Sequence, residues 1–185
     1  MSRADELIEI ALANPANAEI LRRLPDLDVP EAFLVAGCLF QAVWNRLSGW
    51  PPERHVKDYD VFYFDDRDLS WEAEDRVIRH AMDLFADLGV AIEVKNQARV
   101  HLWYRQRFGG HYPQLASSRD GIDRYLIPCT CVGLAADRSL YAPNGLDELW
   151  AGTLRMNPLN RQLGRFVEKA ESYRERWPWL TIVRP

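Results

Sequence analysis

In the stretch VKDYDVFYFDD, residues 56–66, two carboxylates stand one residue apart at the head of an apolar run. If Val61–Phe64 are a strand, side chains alternate, so Asp58 and Asp60 share one face and Tyr59 and Val61 the other. Two carboxylates about 6–7 Å apart repel by roughly 2–3 kcal/mol at an effective dielectric of about 20. A divalent cation reverses that sign. Ligands that are oxygen alone suit Mg²⁺, which keeps several waters and takes one or two carboxylates plus phosphate oxygens. Glu93, centred in VAIEVKN, is a further charge in an apolar strand. It would complete a two-metal site of the kind that holds the attacking and leaving oxygens of a displacement at phosphorus. Gly37 lies where EAFLVAG gives way to CLFQAVWNRLSG. The free amides of a first helical turn there can face an anion, and the missing Cβ lets a phosphate come close.

These residues need a scaffold. Apolar spacing predicts helices over 4–13 and 17–24, bounded by Pro15 and Pro25. A short buried strand follows at 31–37, then a helix through Leu39, Val43, Trp44 and Leu47 that stops at Gly49. After the proline loop come the strand 58–64, a helix 71–88 capped by Ser70 with Glu72 and Glu74 in its first turn, and a strand 90–96. A second extended stretch is expected over 99–104. Further on, the pattern gives a helix near 119–126, a strand 129–135, a turn at Asn144-Gly145, a short helix near 146–151 and a last helix over about 161–176. Strands and helices so mixed predict an α+β fold, a mixed β-sheet with helices packed on it. We expect a single domain over 1–185, its core about 30–106 and a C-terminal extension about 107–185.

Composition narrows the function. With 185 residues, 48% hydrophobic and 27% charged, the chain reads as an ordinary globular protein. A net charge of −4 argues against a large nucleic-acid surface, and basic residues are locally dense only in ARVHLWYRQRF. Cys38, Cys129 and Cys131 form no disulfide framework. Cys129 and Cys131 read as buried small residues in a strand, because His55, His80, His101 and His111 show no spacing that would make a metal site with them. No run is long and apolar enough to span a bilayer, and the opening MSRADELIEIAL does not read as a secretory signal, so the expected location is cytoplasmic.

A Gly-led helix, an Asp-x-Asp strand and a lone acid on a later strand together resemble the DNA polymerase beta-type nucleotidyltransferase superfamily. More closely, AGCLFQAVWNRLSG, VKDYDVFYFDD, EVKNQARVHLWY and YAPNGLDELWAGTLRMNP resemble a bacterial nucleotidyltransferase-like family of unassigned function, over about residues 30–160. The resemblance implies Mg²⁺-dependent transfer of a nucleoside monophosphate from a nucleoside triphosphate to a small-molecule or protein acceptor, with release of pyrophosphate. It implies that Asp58 and Asp60 hold the metals, two Mg²⁺ ions, that Glu93 helps bind the second, and that the amides of Gly37 and Cys38 cradle the terminal phosphates. If 93–103 is regular, Lys95, Gln97, Arg99, His101 and Trp103 share the parity of Glu93, and Lys95 or Arg99 can meet triphosphate oxygens. Cross-strand ion pairing, or a turn at Asn96 that breaks the parity, is the alternative. His101 is a proton relay or a structural hydrogen-bonding group. Trp103 and Tyr104 either stack a nucleobase or pack a core. Cys38 stands where the superfamily usually has Gly or Ser, which gives a second reading: a nucleotide-binding regulatory module without turnover. A third is a transferase acting on a protein or RNA partner. Asp65, Asp66 and Asp68 read as a polar turn, and Asp147 and Glu148 as the first turn of a helix.

Overall fold

The computed structural model describes residues 2–184; Met1 and Pro185 lie outside it. Five strands make the main sheet: β1 (Phe33–Val35), β2 (Tyr59–Tyr63), β3 (Ile92–Asn96), β4 (Gly133–Leu134) and β5 (Leu140–Tyr141). Their order is β3-β2-β1-β4-β5, with β2 and β3 parallel and the other neighbours antiparallel, so the sheet is mixed as expected. A parallel pair cannot be closed by a tight turn. The crossover here is helix α4 (Trp71–Leu84), whose N-cap Ser70 accepts from the Ala73 amide at 3.2 Å. The helix then gives way to a 3₁₀ turn and to Gly89 at φ +64, so it is shorter than the 71–88 expected.

Two helices precede the sheet, α1 (Arg3–Leu12) and α2 (Pro15–Arg23). Pro15 separates them, and it also opens α2: the Asn14 side chain accepts from the Ala16 amide at 3.0 Å, and proline fits a first turn whose N–H would go unpaired. Helix α3 (Gly37–Leu47) follows β1 directly and puts its whole middle, Cys38 through Asn45, in the core.

The stretch expected to be extended over 99–104 is helical instead. β3 ends at Asn96, whose side chain accepts from the Ala98 and Asp65 amides at 3.1 and 3.0 Å and donates to the Asp65 carbonyl at 2.8 Å. The chain turns through Gln97–Arg99 into helix α5 (Val100–Phe108), and the shared parity with Glu93 is lost beyond Asn96. The strand expected at 129–135 shrinks to β4, because Pro128 opens a 3₁₀ turn through Thr130; Cys129 and Cys131 are buried there as free thiols.

The remaining chain supplies α6 (Ser118–Asp123), α7 (Asp147–Ala151), α8 (Leu163–Arg176) and a small parallel pair, β6 (Thr153–Leu154) with β7 (Thr181–Ile182), that the pattern did not foretell. Phe166, Ala170 and Tyr173 recur at helical spacing on α8, and with Trp177 they sit in the same buried cluster as Leu34 and Trp44. Trp177 closes that cluster. Its ring meets Trp44 edge-on at 5.3 Å and its indole N–H donates to Asn45 Oδ1 at 3.0 Å. Among the described residues, no helix is long and apolar enough to cross a membrane.

Candidate active site

The turn from β1 into α3 is tight. Ala36 takes φ +63, ψ −130, a conformation that costs an L-residue energy, while its amide donates to Val132 O at 3.2 Å. The Ala36 carbonyl accepts the first helical bonds, from the Leu39 and Phe40 amides at 3.0 and 3.2 Å. The amides of Gly37 and Cys38 therefore stand at the helix start with no acceptor one turn back. A Cβ on Gly37 would lie 2.7 Å from Gln41 Nε2, so glycine here leaves room for the Gln41 side chain to lie across the helix start. Cys38 turns its thiol the other way, into the core, donating to Val35 O at 3.4 Å. Burial pushes that thiol well above its ordinary pKa. Cys38 offers the site its backbone alone.

β2 carries Asp60, and Asp58 stands immediately before its first residue. Asp60 sits between Val35 on one neighbouring strand and Glu93 on the other. Burial raises the Asp60 pKa to about 6; Lys95 works against this, while Asp58 and Glu93 add to it. The Lys95 ammonium is 2.6 Å from Glu93 Oε2 and 3.7 Å from Asp60 Oδ1. That contact holds the Glu93 carboxyl below its usual range, and Glu93 itself is half exposed on the edge strand. Among the described residues, no three Asp, Glu, His or Cys side chains are gathered closely enough to hold one metal ion. Asp58 and Asp60 do line one cavity, with Ala36 and Gly37, and two hard oxygen donors there fit an ion that completes its shell with phosphate and water. Glu93 lies outside that lining and is engaged by Lys95.

The cavity measures about 290 Å³. Phe62 continues the face of Asp58 and Asp60, and the rings of Tyr104, Phe108, Tyr112 and Tyr125 form the far walls. Helix α8 lays Arg165, Lys169 and Tyr173 along it at intervals of four. Lys169 is lowered in pKa chiefly by burial, with Arg176 adding, while Asp60 and Asp58 pull the other way. Arg165 donates to Tyr104 Oη at 3.0 Å and Gln162 Oε1 at 3.1 Å, and its guanidinium lies 4.0 Å over the Phe108 ring.

The structure thus brings Gly37, Asp58, Asp60 and Lys95 to one cavity, with Cys38 beside them. Arg99 is elsewhere. It is buried at 8% exposure, ion-paired to Glu74, and donates to Leu69 O at 2.9 Å. The triphosphate contact expected of Arg99 fails because the chain turns at Asn96 and a buried carboxylate claims the guanidinium. Trp103 and Tyr104 both line the cavity. Asp65 and Asp68 serve the turn, accepting from the Arg67 and Ser70 amides at 3.1 and 2.9 Å. Asp147 pairs with Arg3 and Glu148 with Arg155, both at the surface. Gln41, Tyr125, Arg165 and Lys169 were missed. The one signal for the two cations is their spacing of four along the last helix, which reads equally well as a solvated face.

Residues 22–182 match the model of a family described as nucleotidyltransferase. A solved structure titled "The NMR structure of the protein reveals a CCA-adding enzyme head domain" superposes with a TM-score of 0.76 at 27% identity, covering 98% of this chain and 96% of that one. Among curated proteins there is no match. With the family model matched over residues 22–182 and the structural match taking in nearly the whole chain, the chain belongs to this nucleotidyltransferase family.

Proposed function

We propose that the chain transfers a nucleoside monophosphate from a nucleoside triphosphate to an acceptor, with Mg²⁺ held by Asp58 and Asp60. The observation that carries this reading is the pair of carboxylates lining the same cavity as the free amides at the start of α3. Bound there, the metal would neutralise phosphate charge and polarise the α-phosphorus. The amides of Gly37 and Cys38 hold the terminal phosphates, and Lys169 faces the charge that builds on the leaving group. The acceptor's hydroxyl or amine forms the new bond to the α-phosphorus. The bond from phosphorus to the bridging oxygen breaks, its electron pair leaves with pyrophosphate, and the acceptor's proton passes to solvent. Lys95 keeps Asp60 ionised against its burial. Residues 107–185 complete the one domain by supplying the cations.

The engagement of Glu93 by Lys95 favours a second reading, a nucleotide-binding regulatory module without turnover. Thermal-shift titration with ATP, GTP, CTP and UTP, each with Mg²⁺ and with chelator, tests binding; pyrophosphate release across an acceptor screen separates the two readings. A metal-dependent shift lost in Asp60→Asn supports the site. Triphosphate turnover that survives Asp60→Asn unchanged would sink it.

A further inference from the structure

β2 and β3 pair in parallel with Asp60 opposite Glu93 and Phe62 opposite Lys95, so all four side chains stand on one face of the sheet. The Lys95 ammonium reaches back along β3 to within 2.6 Å of Glu93 Oε2 and lies 3.7 Å from Asp60 Oδ1. It occupies the space between the two carboxylates that a second divalent ion would have to share. Mg²⁺ needs its oxygens at about 2.0–2.1 Å, and an ion brought there would meet both the bulk and the like charge of the ammonium. Glu93 is absent from the lining of the cavity, whereas Lys95 is part of it. Among the described residues, no three acids, histidines or cysteines converge on one point. One ion on Asp58 and Asp60 fits these residues, and a second ion shared by Asp60 and Glu93 does not.

An exposed ion pair of the ordinary kind contributes little and holds no fixed geometry. Two features set this one apart. The Asp60 side chain is only 21% exposed, so the ammonium beside it acts where water screens poorly. Lys95 also stands at a junction: with Trp103 it lines both the main cavity and a second one of about 380 Å³, which is walled by Trp71 and Ile78 of α4 and by Gln106 and Arg107 of α5. An ammonium has three N–H donors, and Glu93 takes one of them. The others can meet a bound group arriving at that junction. Lys169 and the start of α3 already face the triphosphate, which leaves Lys95 for the attacking side.

We propose that Lys95 takes the place of a second metal ion: its ammonium, fixed by Glu93 and facing Asp60, supplies the positive charge on the acceptor's side, and the chain works with a single divalent ion on Asp58 and Asp60. This rests on the nucleotidyl-transfer reading and deepens it. The bonds are those already given: the acceptor's attacking atom joins the α-phosphorus, the bridging oxygen leaves with its electron pair in pyrophosphate, and the acceptor's proton passes to solvent. Glu93 then positions Lys95 and is not a metal ligand. The contact that favours a silent module becomes, on this inference, part of a working site.

Counting ions tests this without any need to know the acceptor. The full chain is dialysed to equilibrium against Mn²⁺, with and without tripolyphosphate in both compartments, and the metal held by the chain is measured. Wild type should hold one ion and lose it in Asp60→Asn. Lys95→Met frees Glu93 and the space beside Asp60, so it should hold two. Ions in a two-metal site lie about 3.5–4 Å apart, so doubly loaded Lys95→Met should also give a spin-coupled Mn²⁺ resonance that wild type lacks. Glu93→Gln serves as the second variant should Lys95→Met fold poorly. The count should stay at one there, whereas a carboxylate that held an ion would take the count from two to one. Two ions on wild type, or one ion on both wild type and Lys95→Met, would overturn the inference and leave the transferase reading standing. If wild type holds no ion under either condition, both fall together.

Discussion

Asp60 holds a charge that the fold makes expensive. Burial lifts its pKa from an ordinary 3.8 to about 6, with Lys95 opposing and Asp58 and Glu93 reinforcing the rise. An acid whose folded pKa is raised binds more protons folded than unfolded between those two values. Stability therefore falls as pH climbs from 3.8 to about 6, and the loss is complete above that. Asp60→Asn removes the penalty while keeping the shape. In metal-free buffer at neutral pH the variant should be more stable than wild type by on the order of 2–3 kcal/mol, with the gap closing as pH falls towards 3.8. Urea unfolding at a series of pH values measures this directly. A variant less stable than wild type at pH 7 would show that the carboxylate holds the fold through its contacts, and would remove the electrostatic reason for placing a cation there.

At the scale of elements, the paired aspartates were readable because strand periodicity is local: a two-residue repeat puts 58, 60 and 62 on one face wherever the strand goes. The turn after β3 was not readable by that rule. ARVHLWY alternates well enough for a strand, and what overrides it is Asn96, whose side chain ties the turn to Asp65 thirty-one residues back, together with a cation that finds Glu74. Periodicity carries no information about either partner. The Arg99–Glu74 pair should consequently act as a structural clasp between α4 and the start of α5. Glu74 also accepts from the Asn96 amide at 2.8 Å, so its two oxygens fasten both sides of the turn. Arg99→Met leaves that carboxylate buried without its cation and should cost about 3–5 kcal/mol. Glu74→Leu combined with Arg99→Met should cost less than the sum of the two single changes, because the orphaned charge is gone. Denaturant melts of the two single variants and the double measure this coupling, and strict additivity would mean that the two side chains do not act as a pair.

For the molecule as a whole, the site depends on residues more than a hundred positions apart. β2 sets the carboxylates, but the cations opposite them ride on α8, which is positioned by apolar contacts that no local pattern names. Trp177 is the anchor: fully buried, edge-on to Trp44 and hydrogen-bonded to Asn45 on the helix that begins at Gly37. The helix that would bind phosphate and the helix that carries Lys169 are thus fastened to each other at this indole, beside the Tyr173 ring, which meets Phe40 and Trp44 edge-on at 5.5 and 5.3 Å. Trp177→Ala should lose about 3–5 kcal/mol of stability through the cavity it leaves and, at a temperature where the variant is still folded, should also weaken Mg²⁺-triphosphate binding because α8 is no longer held in register. Lys169→Met separates the two effects. Burial already disfavours the charged form of that lysine, so its removal should leave the metal-free fold as stable or more so, while binding falls by about 1.5–3 kcal/mol, the worth of a charge-assisted hydrogen bond. Calorimetric binding beside thermal melts for both variants reads the result. Binding intact in Trp177→Ala, with stability lost, would mean that α8 takes its position from contacts other than this anchor.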